Sequence, residues 1–303
     1  DGYALVELDA AVRLREAGYR QRIVLLEGFF DTRELAVIME HKLATVIHSS
    51  EQLEMMKDLP AGAQLDVMLK LNTGMNRLGF QPSKFDAALA RVKAHAAVGT
   101  ITLVTHFANA DDDKGVAWQL QTLERVAGGE SLPRSLANSA AILRHPETHA
   151  DWVRPGIMLY GCSPFPDSTG ADIDLKPAMT LASELISIRE LAVGDVVGYG
   201  GVFTAEQPIR IGVVACGYAD GYPRHAPTGS PVLVGGTLTR TIGRVSMDML
   251  SVDLTGIEDA RVGTRVVLWG EGNPVERVAH AAGTVGYELL CAVTPRVRII
   301  EKP

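Results

Sequence analysis

Cysteine is scarce in this chain, and its pattern argues against two classes of protein. The 303 residues contain 3 cysteines, Cys162, Cys216 and Cys291, which are far apart and form no C-x-x-C pair. An odd number of isolated cysteines argues against a disulfide framework and against a zinc site built from cysteine pairs. Cysteines of this kind favour a reducing compartment, so we expect the protein in the cytoplasm.

Long apolar runs and runs of basic residues are also missing. No stretch of about 18 consecutive apolar residues occurs, so the sequence predicts no transmembrane helix. The formal net charge of −7 at pH 7 is spread along the chain, which argues against a nucleic-acid or membrane surface. The contents of 47% hydrophobic and 21% charged residues are ordinary for a globular protein with one large and one smaller domain. Composition therefore favours chemistry on a small molecule.

Apolar segments of strand length alternate with helical patterns in the first half of the chain. The predicted strands are YALVEL, RIVLLE, LATVIH, LDVMLKLN, ITLVTHFA, PRSLANS and WVRPGIML. Such alternation is typical of a parallel sheet covered by helices. Seven units are one fewer than a (β/α)8 barrel requires, and the chain enters an apolar strand directly after its first residues. We therefore expect a TIM-type barrel over residues 1–173, with its first unit missing from this sequence; a doubly wound open sheet is the alternative.

The pattern changes after Asp174 to short strands separated by glycine-rich turns. This spacing predicts a separate, mostly antiparallel β domain over residues 174–303. Its predicted strands are LASELISI, VVGYGGVF, RIGVVACGY, PVLVGG, SMDMLSVDL and RVVLWGEG, followed by a helical segment from Pro274 to about Ala292 and a last strand, RVRII.

Polar residues stand where the predicted parallel strands end. Arg77 follows the fourth strand, His106 ends the fifth, Ser139 follows the sixth, and Arg154 and Gly156 lie on the seventh. Active sites of α/β barrels form at the carboxyl ends of the strands. Because small residues let backbone N–H groups approach an anion, Ser139 and Gly156 are candidates for binding a phosphate.

Three charged or titratable residues of the predicted strands allow both a structural and a functional interpretation. Arg154 and Lys70 each lie inside an apolar strand, where the alternatives are a buried ion pair and a residue that faces a ligand or, for Lys70, carries a modification. His106 is either a core histidine or a catalytic one.

The segment HPETH does not match H-E-x-x-H, and its Pro146 disfavours a helix, so we predict no metal site.

Eight ordered motifs resemble those of alanine racemase, and the resemblance extends from Asp1 to the C-terminus. The motifs are KLNTGMNRLGF, THFA, ANSAA, WVRPGIMLYG, VGYGG, GYADGYPR, GRVSMDM and LWGEG. The resemblance implies a pyridoxal 5'-phosphate enzyme, built from a barrel and a β domain, that interconverts L- and D-alanine. Such an enzyme supplies D-alanine for peptidoglycan or catabolises it. The family also implies a head-to-tail homodimer with shared active sites.

The resemblance assigns roles to individual residues. Arg154 resembles the arginine that faces the pyridine nitrogen of the cofactor, and His106 the histidine that links this arginine to the catalytic tyrosine. Tyr218 resembles that tyrosine, the base for the L-enantiomer, which comes from the partner subunit. The positions that bind the cofactor phosphate in the family are matched by Ser139, Gly156, Ile157 and Tyr287.

The same resemblance implies a site for the substrate carboxylate. Arg77 and the backbone of Met247, beside Asp248, match the groups that receive it. Lys70 matches a lysine that is carbamylated in some members and braces Arg77. Asn72 stands where many members carry Asp, and we expect little effect from this difference.

One motif of the family has no counterpart in this chain. The lysine that binds the cofactor as a Schiff base lies in a K-A-N-A-Y-G-H-G motif on the first barrel strand, and no such stretch occurs here. We therefore expect that these 303 residues alone do not racemise alanine, whereas the parent protein does. The alternatives are a racemase of broader specificity, a related decarboxylase and an inactive cofactor-binding fragment.

Overall fold

The computed structural model describes residues 1–59 and 62–301 and contains two compact units, Asp1–Pro155 and Gly156–Pro303. The predicted boundary between residues 173 and 174 stays a prediction. The strands of the first unit are β1 (Gly2–Leu5), β2 (Arg22–Leu25), β3 (Ala44–Ile47), β4 (Leu65–Lys70), β5 (Val98–Val104) and β6 (Arg134–Ser135). Its helices are α1 (Leu8–Glu16), α2 (Thr32–Glu40), α3 (Ser50–Met55), α4 (Pro82–Ala94), α5 (Ala117–Ala127) and α6 (Ser139–Arg144), with 3-10 turns at Met56–Asp58 and Pro146–Thr148.

The six strands of the first unit form one parallel sheet in the order β1-β2-β3-β4-β5-β6, curled into a half-barrel. Every residue of β3 is buried, and Val67 and Leu69 of β4 are fully buried. Strands that are apolar on both faces need helices to cover them, which the α-helices between the strands supply. Local sequence determines where several of these helices begin: Asp31 and Ser49 cap the N-termini of α2 and α3, and Pro82 occupies the first turn of α4. The predicted barrel-type α/β unit is confirmed.

The seventh predicted strand, WVRPGIML, does not form. Only Trp152 pairs with the sheet, through a bridge to Ser135, and Ile157–Tyr160 forms a 3-10 helix. Pro155 has no N–H to pair with a neighbouring strand, and Gly156 has a ψ of −95°, outside the extended region. Arg154 therefore lies on an irregular segment directly after the sheet and not inside a strand.

The second unit is an antiparallel β domain, as predicted. Its strands are β7 (Leu181–Leu191), β8 (Val196–Val197), β9 (Phe203–Thr204), β10 (Ile209–Val214), β11 (Pro231–Val234), β12 (Thr237–Ile242), β13 (Leu250–Asp253) and β14 (Arg265–Trp269). Six of them close into a barrel in the order β10-β13-β12-β11-β14-β7, around a core that includes Val232, Val252, Leu268 and Trp269. Helices α7 (Val275–Ala281) and α8 (Gly286–Ala292) occupy the segment predicted to be helical.

Three details of the second unit differ from the sequence-based expectation. The segment VVGYGGVF, predicted as one strand, forms the short antiparallel strands β8 and β9 on either side of a 3-10 turn at Tyr199–Gly201. Strand β12 was not expected, because its sequence TLTRTI is largely polar, yet it pairs with β11 and β13 and closes the barrel. The predicted last strand, RVRII, does not form: Arg296 instead turns its side chain towards two aspartates. In the part of the chain that the structure describes, no helix has the length and hydrophobicity of a membrane-spanning segment.

Candidate active site

Main-chain carbonyls and one hydroxyl, rather than a carboxylate, hold the guanidinium of Arg154. One terminal nitrogen donates to the carbonyl oxygen and Oγ of Ser135, at 2.7 and 2.8 Å. The other donates to the carbonyl oxygens of Thr105 and Leu136, at 2.7 and 3.1 Å. Across residues 1–59 and 62–301, Arg154 forms no ion pair, so the buried ion pair that the sequence left open is not found there.

The same geometry leaves one N–H of Arg154 available. Its Nε has no hydrogen-bond partner among the described residues, whereas both terminal nitrogens are engaged. Burial lowers the pKa of Arg154 to about 10, so the guanidinium is still charged at neutral pH. The segment thus presents a fixed cation with a single free donor.

His106 lies between Arg154 and the first turn of α6. Its Nδ1 is 3.4 Å from a terminal nitrogen of Arg154, and its Nε2 is 3.5 Å from Nδ2 of Asn138. The amide of Asn138 is oriented because its Oδ1 accepts a hydrogen bond from the N–H of Ala141 as the cap of α6. Sequence reasoning did not predict Asn138 and Ser135 as partners of His106 and Arg154.

The electrostatic surroundings keep His106 neutral. Burial has the largest effect, and the nearby cations Arg154, Arg77 and Lys70 add to it, so that the pKa of His106 falls to about 3. The imidazole is therefore uncharged at physiological pH and cannot serve as a cationic acid there.

Lys70, the last residue of β4, lines a small pocket with Arg77 and His106. Burial, followed by repulsion from Arg77 and Arg154, lowers the pKa of Lys70 to about 8, while Glu27 acts weakly in the opposite direction. Within the described ranges, Nζ of Lys70 has neither a carboxylate nor another acceptor at hydrogen-bond distance. A pocket with this excess of positive charge suits an anionic ligand.

The loop that presents Arg77 is fixed by its own side chains. Oδ1 of Asn72 accepts the N–H groups of Gly74 and Asn76, each at 3.0 Å, and Nδ2 of Asn72 donates to Oδ1 of Asn76 at 2.8 Å. Gly74 has a φ of +138°, and a Cβ there would overlap the ring of Trp118. The loop therefore holds the exposed Arg77 at the rim of the pocket.

In the second unit, the turn that carries Tyr218 lies against the segment that carries Met247. The N–H of Tyr218 donates to the carbonyl of Ser246 at 3.1 Å, and the N–H of Ala219 donates to the carbonyl of Met247 at 2.9 Å. A Cβ at Gly217 would overlap the Met247 carbonyl, so this close approach requires glycine. The structure thus brings the backbones of Tyr218 and Met247 together.

An ion-pair clamp ties the same two segments together. Arg296 donates to Oδ1 of Asp220 and to Oδ1 of Asp248, both at 2.7 Å. The other oxygen of Asp220 accepts the N–H of Gly217 at 2.9 Å.

Tyr218 also lines a cleft of about 220 Å³ together with residues of α8.

The predicted phosphate-binding residues are divided between the units. Ser139 is a buried residue of the first turn of α6 in the first unit. Gly156 and the buried Ile157 begin a 3-10 helix in the second unit, and Tyr287 lies half-exposed on α8. A joint role of these four residues in binding phosphate stays a prediction.

Family models match both parts of the chain. Residues 1–164 match the model described as "Alanine racemase, N-terminal domain", and residues 178–301 match "Alanine racemase, C-terminal domain". The boundary predicted between residues 173 and 174 falls in the interval between these two matches.

Curated and structurally known proteins give the same result. The alanine racemase of Nitrosospira multiformis is 62% identical over 301 residues, which are 98% of this chain and 84% of that protein. The alanine racemase of Nitrosomonas eutropha is 56% identical over 302 residues, with the same shares. The structure of the biosynthetic alanine racemase from Pseudomonas aeruginosa matches with a TM-score of 0.95 at 49% identity, over 98% of this chain and 84% of that chain. The chain belongs to the alanine racemase family.

Proposed function

We propose that the protein interconverts L- and D-alanine with pyridoxal 5'-phosphate as its cofactor. The observation that carries this proposal is Arg154: a charged guanidinium, held by carbonyls, with its Nε–H free. The relatives named alanine racemase, at 56–62% identity over nearly the whole chain, support the choice of reaction and substrate.

The donors of this chain fit the proposed cofactor. The free Nε–H of Arg154 is the right partner for a pyridine nitrogen, which is a hydrogen-bond acceptor. Because a guanidinium does not give up its proton at neutral pH, Arg154 leaves that nitrogen unprotonated. When bound, the cofactor draws electrons from the α-carbon of an amino acid and makes its proton acidic. An arginine partner moderates this withdrawal, which restrains side reactions.

The phosphate of the cofactor is assigned to Ser139, Gly156, Ile157 and Tyr287. Ser139 contributes a hydroxyl and a backbone N–H from the first turn of α6, and Gly156 and Ile157 contribute backbone groups from the start of a 3-10 helix. Small residues at these positions let backbone N–H groups approach an anion closely.

Racemisation needs a proton acceptor on one face of the α-carbon and a proton donor on the other. We assign Tyr218, from the partner subunit, as the base for L-alanine. We assign the neutral His106 to lie between this tyrosine and Arg154, with which its Nδ1 is already in contact at 3.4 Å.

The carboxylate of alanine is assigned to Arg77 and to the backbone N–H of Met247, beside Asp248. Lys70 supports Arg77 in this role as a carbamate. The lowered pKa of Lys70 increases the fraction of neutral amine. The amine nitrogen attacks the carbon of carbon dioxide: a C–N bond forms, one C=O π bond opens to give the carboxylate, and the nitrogen loses one proton to solvent. The product is an anion, so the repulsion between Lys70 and Arg77 becomes an attraction.

Covalent anchoring of the cofactor requires a lysine that the motifs of this chain do not supply. We infer that a polypeptide of these 303 residues alone neither anchors the cofactor nor racemises alanine. The test is the intact mass after incubation with pyridoxal phosphate and borohydride, beside a racemisation assay. We expect no added cofactor and no turnover for the 303-residue polypeptide, and both for the parent protein. Racemisation by protein verified to begin at Asp1 would refute the inference.

The proposed reaction is tested in the parent protein by exchange of the α-hydrogen of L- and D-alanine in deuterated water, followed by NMR. Exchange accompanied by conversion of each enantiomer into the other supports the proposal. Equal rates with several other amino acids indicate a broader racemase. Release of carbon dioxide indicates a decarboxylase, and cofactor binding without exchange indicates a non-catalytic protein.

A further inference from the structure

Gln119 is a polar residue wholly enclosed in the first unit. It lies on α5, and its exposed fraction is 0%. Burying an amide is costly unless its donors and acceptor are paired. Three hydrogen bonds pair it: Nε2 donates to Oγ1 of Thr73 at 2.8 Å and to the carbonyl of His106 at 3.0 Å, and Oε1 accepts the N–H of Ala108 at 2.7 Å.

These bonds fix the main chain on both sides of Phe107, immediately after β5. The carbonyl of His106 and the N–H of Ala108 are held by one rigid amide group. The two peptide groups that flank Phe107 are thereby held, and with them the main-chain position from which the imidazole of His106 extends towards Arg154.

A chain of hydrogen bonds extends from the same amide through two threonine hydroxyls, and the direction of donation along it is fixed. Thr105 Oγ1 donates to the carbonyl of Leu71 at 3.0 Å, so its single proton is used. The hydrogen bond of 2.7 Å between the two threonines must therefore be donated by Thr73 to Thr105. Thr73 in turn accepts from Gln119. All three side chains are buried, and Thr73 belongs to the loop that presents Arg77.

We infer that Gln119 is a positioning residue of the racemase site, which holds His106 against Arg154 and, through Thr73, fixes the loop that presents Arg77. The kinetic part of this inference rests on the proposed function. The structural part concerns only residues of the first unit and is tested independently of turnover.

The chain contains a matched control for the loss of a buried glutamine. Gln52 on α3 is also buried, and its amide also makes three hydrogen bonds: Nε2 donates to the carbonyls of Glu27 and Phe29, and Oε1 accepts the N–H of His48. These bonds connect the segment after β2 with the end of β3, and all three go to the main chain. Gln52→Leu therefore removes the same number of buried hydrogen bonds without releasing His106 or Thr73.

The first test is the titration of His106 by NMR, with labelled histidine, in the cofactor-free 303-residue protein. His106→Gln assigns the signal. Arg154, Arg77 and Lys70 face this ring and keep it neutral in the unsubstituted protein. In Gln119→Leu we expect the ring to move from Arg154 and its pKa to rise by at least about one unit towards the ordinary value. In Gln52→Leu we expect the thermal midpoint to fall and the titration of His106 to stay as it was. Equal titrations of His106 in both variants would overturn the inference.

The second test uses the kinetics of the parent protein to separate two links of Gln119: its bonds to the main chain beside His106, and its bond through Thr73 to the loop that presents Arg77. Thr73→Val breaks the hydroxyl chain but leaves both bonds of Gln119 to the main chain, so it also serves if Gln119→Leu does not fold. We expect Thr73→Val to raise KM for alanine about tenfold with kcat nearly unchanged, because Arg77 is displaced. Gln119→Leu should in addition lower kcat roughly tenfold. If Thr73→Val leaves KM as it was, the link to Arg77 is wrong. If the unsubstituted parent does not racemise alanine, the proposed function fails, and the titration of His106 still decides the positioning role.

Discussion

At the scale of the single residue, the fold changes the reactivity of the Lys70 amine. Its pKa of about 8 means that a large part of the amine is neutral in mildly alkaline solution. We predict a carbamate on Lys70, seen as a new carbonyl signal in ¹³C NMR when the protein is kept in ¹³C-bicarbonate at pH 8. Only the neutral amine reacts, so the signal should weaken as the pH falls below 8. Lys70→Arg, which keeps the charge but does not react, should lack the signal.

A second prediction concerns the contribution of His106 to the pH dependence of the free energy of unfolding. Its pKa is about 3 in the folded protein and close to 6.5 when the chain unfolds. The unfolded state therefore binds more protons between these values, and the free energy of unfolding falls as the pH is lowered from about 6.5 towards 3. His106→Gln removes this contribution, so acidification should destabilise the variant less than the unsubstituted protein.

Urea unfolding at pH 6.5 and pH 4.5 measures this difference. His280→Gln is the control, because the ring of His280 is exposed on α7. The control should show the same acid dependence as the unsubstituted protein. An acid dependence that is equally steep in His106→Gln would contradict the assignment of His106 as a buried neutral group.

Sequence alone predicted the charged residues of the candidate site but not the groups that hold them in place. Arg154, Lys70 and His106 stand out because their charged or titratable side chains occur in apolar segments that the sequence predicts as strands, although in the structure only Lys70 lies within a strand. The partners of Arg154 are mostly main-chain carbonyls, which every residue has, so they leave no signal in the sequence. Gln119 was also missed, because a glutamine in the helical segment AWQLQTL looks like a solvent-exposed helix residue.

At the scale of the element, the loop of residues 72–79 combines side-chain hydrogen bonds with glycines at restricted positions. Gly74 has a φ of +138°, and a Cβ at that position meets the ring of Trp118. We predict that Gly74→Ala lowers the free energy of unfolding by about 3 kcal/mol, since backbone strain and a steric clash add. It should also raise KM for alanine, because the same loop presents Arg77.

Gly229→Ala isolates the backbone contribution to this effect. Gly229 has a φ of +100°, is exposed, and has no atom within 4 Å of an added Cβ. Its substitution should cost about 1 kcal/mol and leave the kinetics unchanged. Urea unfolding of both variants gives the two values. Equal losses would show that Trp118 yields to the new methyl group and that the clash contributes nothing.

Helices and strands whose apolar residues recur at regular spacing were predicted well. Segments in which strand formation depends on contacts with neighbouring elements were not. The six parallel strands and the capped helices between them follow from local sequence. WVRPGIML has the composition of a strand, but Pro155 and Gly156 end the pairing. Strand β12 is polar and exists because β11 and β13 supply pairing partners on both sides.

At the scale of the whole molecule, each unit carries one coherent set of candidate groups. Lys70, Arg77, His106 and Arg154 are gathered in the first unit, around one cationic pocket. Tyr218 and Met247 are gathered in the second, on two segments that share hydrogen bonds. We propose that the active site of one subunit joins its own first set to the second set of a partner subunit, as a head-to-tail dimer requires.

Mixed dimers of inactive variants test this shared site. Tyr218→Phe removes the proposed base, and Arg77→Leu removes the proposed carboxylate partner; Arg77 is exposed, so its replacement spares the core. Each variant of the parent protein should be nearly inactive alone. After the two are mixed and their subunits exchanged, half of the dimers carry both substitutions in one site and neither in the other. The mixture should then regain roughly one quarter of the unsubstituted activity, because only one site in those dimers is intact. If all groups of a site came from one subunit, both sites of every dimer would lack one group, and mixing would restore nothing.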